Sequence, residues 1–193
     1  MKKYLILVVT FLSVASVQAQ NIRTGFKIGG NLASLRNTGT NNDFSYKLKF
    51  HGGLVFNWGF SDLLSIQPEV VYSQKGFEYK NASVSSEGKV NYIDVPLLLK
   101  VDTGTLFFEG GPQLSFLTAS KLKSGGTETD TKNWTKSTAF GVAAGVGAHV
   151  GTGTFVSLRY LTDLSEPYAR VLNKPTEARN VVFQLSLGYL LSR

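Results

Sequence analysis

The side chains able to do chemistry are few and scattered. His51 and His149 are the only imidazoles, and the chain holds no cysteine. Disulfides, thiolate metal sites and thiol nucleophiles are excluded. A lipid-modifying enzyme would need a Ser–His pair on a lipid-facing surface. A histidine metal site would need both imidazoles together. Five charged residues stand out because they interrupt apolar surroundings: Lys27, Glu69, Asp94, Glu109 and Arg159. Such a set either neutralises itself inside a fold or lines a narrow path for small solutes. The elements that carry these residues decide between the two.

Those elements alternate. From Leu48 to Phe60 one face reads Leu48, Phe50, Gly52, Leu54, Phe56, Trp58, Phe60, and the other Lys49, His51, Gly53, Val55, Asn57, Gly59. From Leu64, the set Leu64, Ile66, Pro68, Val70, Tyr72 alternates with Ser65, Gln67, Glu69, Val71, Ser73. Val181, Phe183, Leu185, Leu187 and Tyr189 form one face of the last segment. Residues 22–33, 90–101, 105–117, 138–150 and 154–164 repeat the pattern, giving eight strand segments of period 2. Most are long enough for a tilted strand across a bilayer, which needs ~9–11 residues. Pro68, Pro96 and Pro112 cannot donate to a ladder, so each predicts a local bulge or a position where no donor is needed.

The linkers fix the topology. Ser61-Asp62, Asp102-Thr103-Gly104 and Gly151-Thr152-Gly153 are tight hairpin turns. Residues 34–47, 78–89, 118–137 and 165–179 read as long polar loops. Short turns on one side and long loops on the other are the pattern of outer-membrane barrels. Phe50, Tyr72, Phe116, Phe140 and Tyr160 would face lipid near the loops, and Trp58, Phe60 and Tyr189 near the turns, as two interfacial girdles. A soluble lipocalin-like barrel would put its apolar face inside. Here the polar set holds the charges and the apolar set almost none. A charge facing lipid at mid-depth costs ~2–4 kcal/mol, so in a membrane the charged face is the lumen.

A leader precedes the strands. Lys2 and Lys3 are followed by an apolar stretch over residues 4–17 and the small-x-small motif Val17-Gln18-Ala19. The stretch is shorter than the ~20 residues of a spanning helix, so residues 1–19 read as a signal peptide, with an uncleaved anchor as the rival. Residues 20–193 then form one domain. The formal net charge is +7, but Arg36, Lys47, Lys80, Lys121, Lys123, Lys132, Lys136 and Lys174 are spread over loops, a pattern that suits solubility or lipid headgroups rather than nucleic acid.

The expected fold is all-β: an eight-stranded antiparallel up-and-down transmembrane barrel behind a cleaved signal peptide. The chain resembles the PorT-like, porin-family outer-membrane proteins with an eight-stranded outer-membrane β-barrel domain. The resemblance is carried by Gly25-Phe26-Lys27-Ile28-Gly29-Gly30-Asn31, Gln67-Pro68-Glu69, Tyr72-Ser73-Gln74-Lys75-Gly76, Tyr92-Ile93-Asp94-Val95-Pro96-Leu97-Leu98-Leu99-Lys100, Gly110-Gly111-Pro112 and residues 184–189. It implies an outer-membrane location and brings no catalytic residue. A few members look like secretion-system components.

Eight strands enclose a space that side chains fill. Lys27, Glu69, Asp94, Glu109 and Arg159 are therefore expected as a buried ion network that plugs the lumen, with the narrow channel as the alternative. Ala139, Gly141, Ala143, Gly145 and Gly147 would leave room for those long side chains. Both histidines have inward parity at opposite ends, which argues against a paired metal site and against lipid chemistry; no cofactor or catalysis is expected. Asn81 and Asn133 head sequons that chance explains, and the glycines of 147–153 suit a hairpin better than a phosphate cradle. Function is expected on the external loops, as structure, adhesion or an envelope complex, with Trp134 as a candidate contact. The implied partners are outer-membrane lipid, the barrel-assembly machinery during insertion, and envelope or secretion-complex proteins around a monomer.

Overall fold

The computed structural model describes residues 22–36, 44–81, 84–124, 127–132, 135–165 and 179–191. The leader and Trp134 lie outside the described residues. The strands are β1 (Ile22–Arg36), β2 (Phe44–Ser45), β3 (Lys47–Gly59), β4 (Leu64–Asn81), β5 (Val84–Asp102), β6 (Leu106–Ser124), β7 (Thr127–Asp130), β8 (Thr138–His149), β9 (Thr154–Asp163) and β10 (Arg179–Leu190). All but β2 and β7 pair antiparallel with their neighbours in the chain, and β10 returns to β1, so an eight-stranded sheet closes on itself. No described helix is long and apolar enough to cross a membrane; closed strands cross it instead, because closure pairs every ladder that lipid could not hydrate.

Period 2 becomes inside and outside. Along β9, residues alternate without exception between buried and more exposed. Phe26, Ile28, Leu54, Leu99, Leu158 and Leu185 are all exposed on the outer wall. The girdles are packed: the Phe50 and Tyr72 rings lie 6.0 Å apart at the loop end, and Trp58 and Phe60 lie 5.4 Å apart at the turn end. Val181, expected outward, is buried beside Val182.

Tight turns join the periplasmic ends. Gly104 (φ 94°) and Gly151 (φ 91°) adopt the left-handed backbone that a side chain disfavours. The opposite end departs from expectation. Residues 78–81 and 84–89 are strand rather than loop, because β4 and β5 stay paired to Asn81↔Val84. Residues 118–137 are in part a hairpin of β6 with β7, closing at Ser124↔Thr127. The sequence there is polar on both faces because no lipid borders it, and polar strands look like loops when burial is the signal sought. β4, β5 and β6, at 18, 19 and 19 residues, thus project beyond the bilayer.

The prolines do not shift register. Around Pro96, the β4–β5 ladder skips from Pro68↔Leu97 to Val71↔Asp94, and the β5–β6 ladder from Pro96↔Gln113 to Leu99↔Gly110, with the frame unchanged. The β5–β6 register shift lies elsewhere, at Asn91/Tyr92.

Candidate functional site

The lumen is the site that the sequence singled out. Each strand presents every second side chain to it, and the tilt brings residues from distant strands to one level. Four of the five expected charges meet there. Arg159 of β9 donates Nη1 to Glu69 Oε2 at 2.8 Å and Nη2 to Glu69 Oε1 at 2.9 Å. Its Nε donates to Glu109 Oε1, also at 2.8 Å. Lys27 closes the group with Nζ 2.6 Å from Glu69 Oε2. All four side chains are at most 2 % exposed.

Amides tie this group to the wall. Lys27 also donates to Gln184 Oε1 at 3.3 Å, Gln184 to Asn31 Oδ1 at 3.1 Å, and Gln67 to Glu69 Oε1 at 2.8 Å. A buried ion pair survives only when its remaining lone pairs and protons are matched, and these amides supply the match.

Asp94 does not join them. It pairs with Lys75 at 3.1 Å in a second group nearer the loops. Lys75 also donates to Ser115 Oγ at 3.4 Å and lies over the Tyr92 ring at 4.7 Å. Asp163 accepts from Asn180 at 2.6 Å on the wall of the same region. The expected single network is therefore two. Inward parity placed Asp94 in the lumen correctly, but strand tilt set its level and gave it a different partner.

Lys75, Lys100 and Asp163 were missed, although all three have inward parity and are buried. Among the described residues, the buried side chains comprise four cations (Lys27, Lys75, Lys100, Arg159) and four carboxylates (Glu69, Asp94, Glu109, Asp163). A formally balanced interior is what low-dielectric burial demands.

Lys100 sits at the periplasmic end against aromatic faces, its Nζ 3.6 Å from the Phe107 centroid and 5.6 Å from that of Phe155. Phe107, Phe155, Val55 and Leu190 form an apolar cap there. Gly147 and Gly188 make the cap buildable: a Cβ at either would collide with the ring of Phe107 or Phe155. The small residues of β8 were expected to make room for charged side chains. Gly145 does so for Glu109, but Gly147 makes room for a phenylalanine.

The histidines are apart. His51 Nε2 lies 3.0 Å from Ser186 Oγ, and His149 Nε2 lies 2.7 Å from Asp102 Oδ2 beside the periplasmic turn. Among the described residues no cluster of His, Asp and Glu has metal-site geometry.

Comparison with known proteins agrees with this architecture. The outer membrane protein β-barrel domain family matches residues 18–166. The Ail attachment invasion locus protein of Yersinia pestis is similar in structure, at 13% identity over 88% of this chain and 98% of that one, with a TM-score of 0.54. Ail in complex with the heparin analogue sucrose octasulfate gives 14%, 89%, 100% and 0.52. Neisserial surface protein A gives 13%, 88%, 97% and 0.51. No curated protein matches this sequence. The closed eight-stranded sheet with its lipid-facing apolar wall, charged interior and family match makes this chain a member of the outer membrane protein β-barrel domain family, located in the outer membrane.

Proposed function

We infer that the protein is a non-conducting barrel whose role is carried by its external face, as a membrane-anchored platform for adhesion or for an envelope complex. The observation that carries this reading is the Arg159–Glu69–Lys27–Glu109 group. It ties β9, β4, β1 and β6 together across the lumen with buried, directly bonded side chains. Two features add support. The periplasmic end has its own apolar cap, and the hairpins of β4–β5 and β6–β7 project structured backbone outside the bilayer. The platform reading rests on these hairpins and not on the likeness to an attachment protein, which concerns the fold. The quoted motifs of β1, β4 and β5 favour a PorT-like affiliation, and the chain acts as a monomer in this reading.

Catalysis is not part of it. His51 and Ser186 form a hydrogen-bonded pair, but Nδ1 of His51 has no partner among the described residues to fix its tautomer. Both side chains are buried.

Liposome swelling tests the closed lumen. Vesicles carrying the folded protein should swell in small sugars no faster than empty vesicles. Swelling that tracks protein content would reject the non-conducting reading in favour of a narrow channel.

A further inference from the structure

Above the external girdle the outer wall changes character in steps. Tyr72, Ile93 and Phe116 lie side by side across β4, β5 and β6. The next row outward on the same face is Gln74, Asn91 and Ala119, and the one after it Gly76, Lys89 and Lys121. Each row climbs about 7 Å along the strands, two residues at ~3.4 Å. An aromatic level thus gives way to an amide level and then to a cationic one.

β3 borders this face, and its ladder to β4 opens here. Pairing of β3 begins at His51↔Ser73, whereas β2 pairs at Ser45↔Glu78, one residue out of that register. A cleft of about 670 Å³ lies at the opening, its lining including Phe50, Gln74 and Asn91, the cations Lys49, Lys89 and Lys121, and one carboxylate, Glu128. Lys49 Nζ is 2.8 Å from Glu87 Oε1, and Lys121 Nζ is 2.5 Å from Glu128 Oε1. Lys89 makes no ion pair among the described residues. Hydrogen bonds from Lys49 and Lys121 hold Glu87 and Glu128 below the ordinary carboxyl value, and the charge of Lys89 acts on both in the same direction. The third lysine is available to a ligand.

Phe50 also borders a second depression, at lipid level. This groove, about 670 Å³, runs between Ile28, Val156, Leu185 and Leu187 over Gly30. A Cβ at Gly30 would meet only Leu48 Cδ1 at 3.5 Å and the Lys49 carbonyl oxygen at 3.9 Å. Those are ordinary contacts, unlike at Gly25, Gly29 or Gly53, where neighbouring backbone blocks any side chain. Packing does not require glycine at position 30; its effect is to leave the groove open.

We propose that this outer face binds a phosphorylated glycolipid of the outer leaflet, with an acyl chain in the groove at Gly30 and a phosphate among Lys49, Lys89 and Lys121. The choice of occupant follows from the stacking. The groove is bordered by apolar side chains that lipid already surrounds, and the lysines stand at headgroup level just above the aromatics. Cations at that level attract anionic headgroups. An acidic soluble protein would use the lysines and leave the groove empty, whereas a single amphipathic lipid uses both.

The test uses the protein purified from outer membranes and placed in phosphatidylcholine nanodiscs, with bound lipid counted by native mass spectrometry. Three probes are compared: diphosphoryl lipid A, lipid A stripped of phosphate, and inorganic phosphate. The unmodified protein should retain the diphosphoryl form about tenfold better than the stripped form. Lys89→Gln/Lys121→Gln should abolish that preference, and Gly30→Leu should lower retention of both forms. Lys132→Gln, an exposed lysine outside the cleft, should change nothing, and heat-modifiable gel mobility checks that each variant is folded. Millimolar inorganic phosphate should displace neither lipid. Equal retention of the two lipid A forms by the unmodified protein would overturn the proposal, as would displacement by inorganic phosphate, which would mark a free-phosphate site.

Discussion

Arg159 and Glu69 face each other across the barrel through two parallel hydrogen bonds of 2.8 and 2.9 Å. The fork of a guanidinium matches a carboxylate in this geometry and no lysine could repeat it. Arg159→Met would leave Glu69 buried with Lys27 as its partner and Glu109 without the cation that bonds it. Breaking a buried pair from one side costs ~3–5 kcal/mol, so the urea midpoint of the detergent-folded barrel should fall steeply. Replacing the whole set, as Lys27→Met/Glu69→Leu/Glu109→Leu/Arg159→Met, should restore much of the loss, because no lone charge remains. A quadruple variant less stable than Arg159→Met would show that the ions contribute more than neutralisation.

At the periplasmic cap, Gly188 and Phe155 share one space. Gly188→Ala forces the ring to move, and overpacking of this kind costs ~1–3 kcal/mol. Phe155→Leu frees the space but loses the aromatic face near Lys100. The double variant should be more stable than the sum of the single losses implies, measured by the same urea titration. Simple additivity would mean that the two residues do not compete for volume.

Asp102 makes acid stability partly readable. Burial pushes its carboxyl up, but hydrogen bonds from His149 and from the Gly104 N–H outweigh this and hold it below its ordinary value of 3.8. A carboxyl lowered on folding adds stability that is complete above its unfolded value and fades as pH falls through its folded value. The Asp102→Asn variant should therefore be slightly less stable than the unmodified barrel above about pH 5, by a fraction of ~1 kcal/mol because the pair is only partly buried, and the difference should shrink as pH falls below the ordinary carboxyl value of 3.8. A constant difference across that range would assign the loss to packing instead.

The projecting hairpins predict slow exchange where the sequence suggested loops. Amide protons of Lys89 and Val90, inside the β4–β5–β6 ladders, should exchange in nanodiscs far more slowly than that of Thr152, exposed at the tip of a periplasmic turn. Equal, rapid exchange would return residues 78–89 to loop.

The transmembrane half of this architecture was legible because lipid imposes a strict test on every second residue. Phe50, Leu54 and Leu99 face out and Lys27, Glu69 and Arg159 face in, and no alternative parity is affordable. The projecting half escaped because its outward face, at Lys89 and Lys121, meets water rather than lipid, and all four residues of β7 are exposed, so the apolar alternation is lost. Inward charges were visible one by one, but their grouping was not: register and tilt decide whether Asp94 meets Arg159 or Lys75, and neither is written in a single strand. Gly147 and Gly188 carried a signal only in retrospect, since their purpose depends on rings contributed by β6 and β9.

Single-channel recording in planar bilayers tests the closed lumen most directly, using residues 20–193 refolded and checked by heat-modifiable mobility. The interior described here predicts a folded barrel with no discrete conductance, and a Glu69→Gln/Glu109→Gln variant that loses stability while its conductance stays low. Reproducible ion-selective steps from the unmodified protein, shifted in selectivity by that variant, would contradict it and make Lys27, Glu69, Glu109 and Arg159 the lining of a pore.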